Sequence, residues 1–208
     1  MAAITWNPSD KSSKLTLSNN NLTMTSINGS ASIRSTKSKS TGKLYFEIKC
    51  DSGDYFDSCG VMGSGDSLDA TVGQSTTGWG CDGSYKGYNS GGTATDASAF
   101  AIGDVVGVAV DFTSGKIWWA INNTWIDSGN PATGANPMFT GLSGALFAAN
   151  SSVYGSIVST VNFGASAFNY TPPSGFSAYD IVIPSEHITR VSVRQTNFYN
   201  NFPLLGGV

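Results

Sequence analysis

Charge is scarce in this chain of 208 residues. Asp, Glu, Lys and Arg make up 12% of it, about half the usual share. Glutamate occurs twice, at Glu47 and Glu186, and histidine once, at His187. A histidine-dependent nucleophilic triad therefore has only His187 to use, and no Gly-x-Ser-x-Gly elbow accompanies it. There is no basic block, and the net charge is -3, so nucleic acid is not an expected partner. No apolar run approaches the roughly 20 residues of a membrane helix. The opening Met1-Ala2-Ala3-Ile4-Thr5-Trp6 has neither the basic nor the apolar part of a signal peptide. Synthesis as a soluble cytosolic chain is the expectation. The three cysteines, Cys50, Cys59 and Cys81, are odd in number and lack CxxC spacing, which leaves zinc unsupported. Cys50 and Cys59 end and begin successive predicted strands; they are either a cross-hairpin pair or reduced thiols, and cytosolic synthesis favours thiols. No cofactor and no metal site is expected, and the chain reads as a non-enzyme.

In place of charge the chain has Ser, Thr, Asn and 25 glycines, which favour turns and solvated strand faces over helices. The most informative stretch is Gly103 to Ile126. Val106, Val108 and Val110 share one face and Gly107 and Ala109 the other, the pattern of a central strand covered on both sides. Thr113-Ser114-Gly115-Lys116 is a hairpin loop with Gly115 at the positive-φ position. In the return strand, Ile117, Trp119 and Ile121 alternate with Trp118 and Ala120. Trp119 is expected in the core and Trp118 on the opposite face. Asn122-Asn123 makes a second turn, since asparagine tolerates the left-handed region.

The rest repeats this texture. Short alternating segments from Ser9 to Ser40 are separated by Asn19-Asn20-Asn21 and Asn28-Gly29. Lys43 to Cys50 sends Leu44, Phe46 and Ile48 one way and Tyr45, Glu47 and Lys49 the other. Asp51, Asp54 and Asp57 share a loop, but without the spacing or terminal Glu of a calcium loop, and read as a solvated turn. Gly60–Gly65 and Gly78–Asn89 are glycine-dense, which in strands signals bulges or close backbone approach. Trp79 reads as core. Ser128 to Gly141 reads as a surface loop, and Thr171-Pro172-Pro173 terminates the domain. The fold class is all-β: two antiparallel sheets packed face to face with almost no helix.

Several of these pieces resemble the SPRY domain family. Gly-Asp-Val-Val-Gly-Val-Ala-Val-Asp from Gly103, with its turn and aromatic strand, is similar to the family's core hairpin. Lys43-Leu44-Tyr45-Phe46-Glu47-Ile48, Gly78-Trp79-Gly80, Val161-Asn162-Phe163-Gly164 and Phe176 fall in the family's order. The resemblance covers about Thr5 to Tyr179. Within the family, the opening Trp6-Asn7-Pro8-Ser9-Asp10 is similar to SPRY-like modules of bacteriophage structural proteins. It implies a concanavalin A-like β-sandwich over residues 1–180. It also implies a recognition or assembly module of a virion, present as a homo-oligomer or in a multi-copy assembly, that binds another particle protein or a host-surface glycan or protein through surface loops. Tyr55, Phe56, Tyr85, Tyr88 and Asn89 are the candidate binding residues: aromatics and a forked amide without an assigned core role. A carbohydrate-binding or glycoside-active protein on the same sandwich, and a purely structural capsid decoration, are the alternatives.

Past Tyr179 the texture changes. Residues 181–208 hold two of the three arginines, alternate over Ile188 to Arg194 and end in an apolar cluster. Such an ending packs on something. Arg190, Arg194, Phe198, Tyr199, Phe202, Leu204 and Leu205 are candidate assembly residues, docking on a neighbouring chain or folding back over an edge strand.

Overall fold

A computed structural model describes residues 2–27, 29–53, 58–153 and 155–180. They form two sheets. The seven-stranded sheet runs β1 (Trp6–Lys11), β4 (Ala31–Lys39), β14 (Leu146–Ser152), β6 (Cys59–Met62), β7 (Gly78–Cys81), β8 (Tyr85–Tyr88) and β9 (Gly91–Ala94). The nine-stranded sheet runs β12 (Thr124–Trp125), β11 (Lys116–Ile121), β10 (Val105–Asp111), β5 (Lys43–Ser52), β15 (Val158–Asn162), β3 (Thr23–Ser26) and β2 (Leu15–Ser18). Beside that path, β13 (Phe139–Thr140) pairs with β11 and β16 (Ser177–Ala178) pairs with β5. Every pairing is antiparallel except β16 with β5. One turn of 3-10 helix, Ile126–Ser128, is the helical element among the described residues. No helix there is long and apolar enough to cross a membrane.

The central hairpin forms as its alternation predicts. β10 lies between β5 and β11, with Val108 opposite Phe46 on one side and Trp119 on the other. Val106, Val108, Val110, Ile117 and Trp119 face the seven-stranded sheet and join its Ile33, Val61, Trp79 and Ala148 in one core. Trp119 is fully buried, and its indole N–H donates to the Cys59 carbonyl at 2.9 Å. The turns use the expected residues: Gly115 at φ 64, Asn122 at 48 and Asn123 at 69.

Trp118 lies on the outer face, as expected, and is buried there too. Phe176 crosses it edge-on at 6.2 Å, and its indole N–H donates to the Ala135 carbonyl at 2.8 Å. The chain after β15 folds back over this face, covering Tyr45, Ala109 and Trp118. Gly107 is small for the same reason: a Cβ there would lie 2.6 Å from the Tyr45 hydroxyl.

Glu47 fastens that covering segment. Its carboxylate accepts from the Tyr45 hydroxyl at 3.0 Å, the Asn169 N–H at 2.8 Å, the Asn169 side-chain amide at 3.0 Å and the Tyr170 N–H at 2.9 Å. At the end of the described chain, Tyr179 packs on Phe46 and Phe163. Asp180 accepts from the Ile4 N–H at 2.9 Å, tying the two ends of the sandwich together.

Two features depart from the sequence reading or resolve it. The stretch Ser128 to Gly141 is more than a surface loop: it contributes β13, buries Met138 and carries a bridge between Asn130 and Ala135. Its few apolar residues are anchors without periodicity, which a pattern search does not register. The cysteines are free and buried. Cys59 stands opposite Cys81 in the β6–β7 register, and burial pushes the Cys81 thiol up to about 12.

Candidate recognition face

The glycine-dense strands position the site. β7 and β8 are joined in register from Trp79 opposite Tyr88 to Cys81 opposite Lys86. On the outer side of β7 the segment Thr71–Ser75 lies directly on the sheet. Added Cβ atoms at Gly80 or Gly73 would collide with the Val72 and Gly87 carbonyls respectively. These glycines are what the sequence showed of a backbone-on-backbone contact. Val72, Met62 and Ala149 form a small apolar cluster under the segment.

The segment stops short of β9 and leaves a step, a depression of about 190 Å³ lined by Ser58, Thr71, Gln74, Asp82, Tyr85 and Ser90 among others. Its framework is held by local bonds. Asp82 accepts from the Tyr85 N–H at 2.6 Å, Ser90 donates to the Gln74 carbonyl at 2.7 Å, and Gln74 accepts from the Thr71 N–H at 3.3 Å. Tyr85 is 58% exposed beside it, and its hydroxyl has no partner among the described residues. The ring thus offers apolar area with one directional group beside a preformed polar step.

The candidate binding residues do not converge on one patch. Tyr85 and Tyr88 are three apart on a strand and therefore face opposite ways. Tyr88, 37% exposed, stacks on Trp79 with 4.8 Å between centroids and 9° between planes, and leans on Phe139 of the other sheet. It closes the open end of the core. Asn89, at φ 51, and Ser90, at φ 61, form the two-residue turn between β8 and β9, the mirror-image turn that asparagine suits. Asn89 is exposed at the tip. Tyr55 and Phe56 lie outside the described residues, as do Arg190, Arg194, Phe198, Tyr199, Phe202, Leu204 and Leu205. Gln74, Asp82 and Ser90 join the site through folding alone; single polar residues in glycine-rich loops carry no periodic signal.

A clasp holds the β8–β9 hairpin to the other sheet. The Lys86 ammonium meets the Asp127 carboxylate at 2.6 Å, with both side chains half-buried. Burial by itself pushes the Asp127 carboxyl up. The hydrogen bonds from Lys86 and the Asp96 N–H, with the Lys86 charge, outweigh it and hold the group below its ordinary value. Asp127 sits at φ 54, a strained position for a residue with a side chain. Asp96 in turn accepts from the Asp127 N–H at 2.7 Å.

Two wider depressions flank the fold. One, of about 400 Å³ on the outer face of the nine-stranded sheet, is lined by Glu47, Lys49, Asp51, Thr160, Asn162 and Asn169 among others. The other, of about 420 Å³, lies between Gly63–Asp66 and Ser143–Leu146. Neither is lined by an aromatic ring. No group of three or more His, Cys, Asp or Glu among the described residues is arranged to hold a metal.

No curated protein matches the chain. Among solved structures it is similar to the SPRY domain of human HERC1, at 12% identity and a TM-score of 0.62, over 78% of this chain and 99% of that one. It is also similar to the TRIM65 PSpry domain, at 15% identity and a TM-score of 0.59, over 77% of this chain and 92% of that one. At such identities the likeness is one of fold. The family model of the SPRY domain matches residues 43–165, more than half of the sequence and the whole span from the aromatic-acidic strand through the central hairpin to the closing strand; the chain belongs to the SPRY domain family.

Proposed function

We propose that this SPRY chain is a non-enzymatic recognition module of a bacteriophage particle. Its role is to hold another protein of the particle or a host-surface receptor against the outer face around Tyr85. SPRY domains are protein–protein interaction modules, which supports the class. The observation that carries the site is Tyr85: a ring 58% exposed on a strand whose other aromatic, Tyr88, is spent on packing. The phage context rests on the likeness of Trp6-Asn7-Pro8-Ser9-Asp10 to phage SPRY-like modules. Attachment to the particle is assigned to residues 181–208.

The glycoside-active alternative finds little chemistry in the wide depression. Both oxygens of Glu47 are taken by four donors, and neither is left to exchange a proton with a sugar. Two experiments test the proposal. Tyr85→Ala is expected to weaken binding to particle proteins or to the host surface without lowering the melting temperature; unchanged binding would overturn the site. A chain ending at Asp180 is expected to keep the full-length melting temperature and to fail to enter particles. Normal incorporation would remove the role given to the extension.

A further inference from the structure

The two sheets end in exposed edges, and most of these edges are blunted. β1 contains Pro8, which has no N–H, and its register on β4 shifts between Trp6 and Lys11. On β2 the Lys11 ammonium bonds the Leu15 carbonyl and sets a charge on the edge. β12 is two residues long and runs into the 3-10 turn. β9 has none of these devices. Gly91, Gly92, Thr93 and Ala94 are all exposed, uncharged, free of proline and in unbroken register with β8. Flat, uncharged edge strands are templates for pairing, and proteins that do not use them protect them.

The phase of the ladder says which backbone groups are free. The Thr95 N–H donates to the Ser84 carbonyl at 2.9 Å. In an antiparallel pair the inward groups alternate, so Thr93 and Gly91 turn theirs toward β8. The N–H and C=O groups of Gly92 and Ala94 point to the open side, where no described residue meets them.

We propose that β9 is a self-association edge: two copies of this chain pair their β9 strands antiparallel about a two-fold axis at Thr93, joining their seven-stranded sheets into one. The strand itself selects this register. A slip of one residue would put side chains of opposite faces side by side, so each residue pairs with one of the same parity. Centred on Thr93, Gly92 pairs with Ala94 of the second copy, and these are the residues whose backbone groups are free. The axis repeats the pair, and every free group on the strand is satisfied. Thr93 faces Thr93 of the second copy in the closer, non-hydrogen-bonded position, a favourable cross-strand pair. Gly91 faces Thr95 and Ser90 faces Asp96, so no like charges meet.

A two-fold axis perpendicular to the sheet keeps both outer faces on one side. The two Tyr85 depressions then face the same way, and one dimer presents two copies of the site to a surface. The association goes beyond the proposed function and does not depend on it. The contact is a short strand pair, the size of a weak interface that forms when copies are concentrated.

Sedimentation of the full-length chain tests this, over roughly 10 µM to 1 mM, where weak interfaces associate. The expected result is a mass rising from 21.6 kDa toward twice that value. Two double variants test the register. Gly92→Lys with Ala94→Lys sets like charges opposite each other twice and is expected to weaken association at least about tenfold, the effect of abolishing a modest interface. Gly92→Lys with Ala94→Glu sets opposite charges there and is expected to restore it. Both should fold, since a Cβ at Gly92 meets nothing within 4 Å and Ala94 is exposed; a thermal melt checks this. A wild-type chain that stays monomeric throughout overturns the proposal. So does association unaffected by the two lysines, or an opposite-charge variant no better than the like-charge one.

Discussion

Replacing Glu47 by Gln tests how the outer face of the nine-stranded sheet is held. The carboxylate is 1% exposed and accepts four hydrogen bonds, two at each oxygen. Glutamine keeps the shape but brings an NH₂ group in place of one oxygen. At the oxygen facing Asn169, that NH₂ meets the Asn169 side-chain amide, which can turn its oxygen to accept, and the Asn169 N–H, which cannot. At the other it meets the Tyr45 hydroxyl, which can rotate to accept, and the Tyr170 N–H, which cannot. Each arrangement is therefore the same in kind. Either leaves one buried N–H unsatisfied, about 1–3 kcal/mol, and reduces the remaining bonds from charge-assisted to neutral, about 1 kcal/mol each. The total is about 4–6 kcal/mol. In a chain of this size that is a fall in melting temperature of roughly 8–24 °C, readable by thermal circular dichroism. Tyr45→Phe removes one of the four donors and should cost about 1–2 kcal/mol. A Glu47→Gln variant that melts within about 2 °C of the wild type would mean that Glu47 does not fasten the segment around Asn169 and that its aromatic contacts alone hold it.

Other outcomes follow from the core and the clasp. Trp119→Ala should cost about 3–5 kcal/mol by urea denaturation, as for large core aromatics. Trp118→Ala should cost less, about 2–3 kcal/mol, since the covering segment with Phe176 can settle onto the gap; the reverse order would mean a shifted strand. The Lys86–Asp127 clasp is pH-dependent. The Asp127 carboxyl is held below its ordinary 3.8, so its contribution is complete above that value and is lost as pH falls through the depressed one. The stability difference between wild type and Asp127→Asn, about 0.5–1 kcal/mol for such a pair, should be constant from pH 5 to 8 and shrink below pH 4. A difference that grows on acidification would contradict the assignment.

The sandwich was legible because its strands alternate. Leu44, Phe46 and Ile48 against Tyr45 and Glu47, and Trp119 against Trp118, give faces that a period of two reveals at once. What covers the outer faces was not legible. Phe168 and Phe176 are anchors in turn-rich sequence, and nothing local says that the chain returns over Trp118 rather than leaving it to solvent. The geometry of the candidate face was half legible. Exposed aromatics and close-packed glycines marked the region. Grouping Tyr85 with Tyr88 required them to share a face, and a spacing of three on a strand divides them. That parity is in the sequence once β8 is known to be a strand, but Tyr85-Lys86-Gly87-Tyr88 is too short and too poor in β-branched residues to declare itself one.

The most direct measurement compares Tyr85→Ala with Tyr88→Ala in the full-length chain, reading binding and melting temperature together. Partners are particle proteins and the host surface. Tyr85→Ala is predicted to lose at least about tenfold in affinity, as for an aromatic anchor, at an unchanged melting temperature. Tyr88→Ala, which uncovers Trp79, is predicted to melt lower and still bind. Binding lost with Tyr88→Ala and retained with Tyr85→Ala would contradict the claim that recognition lies on the outer face.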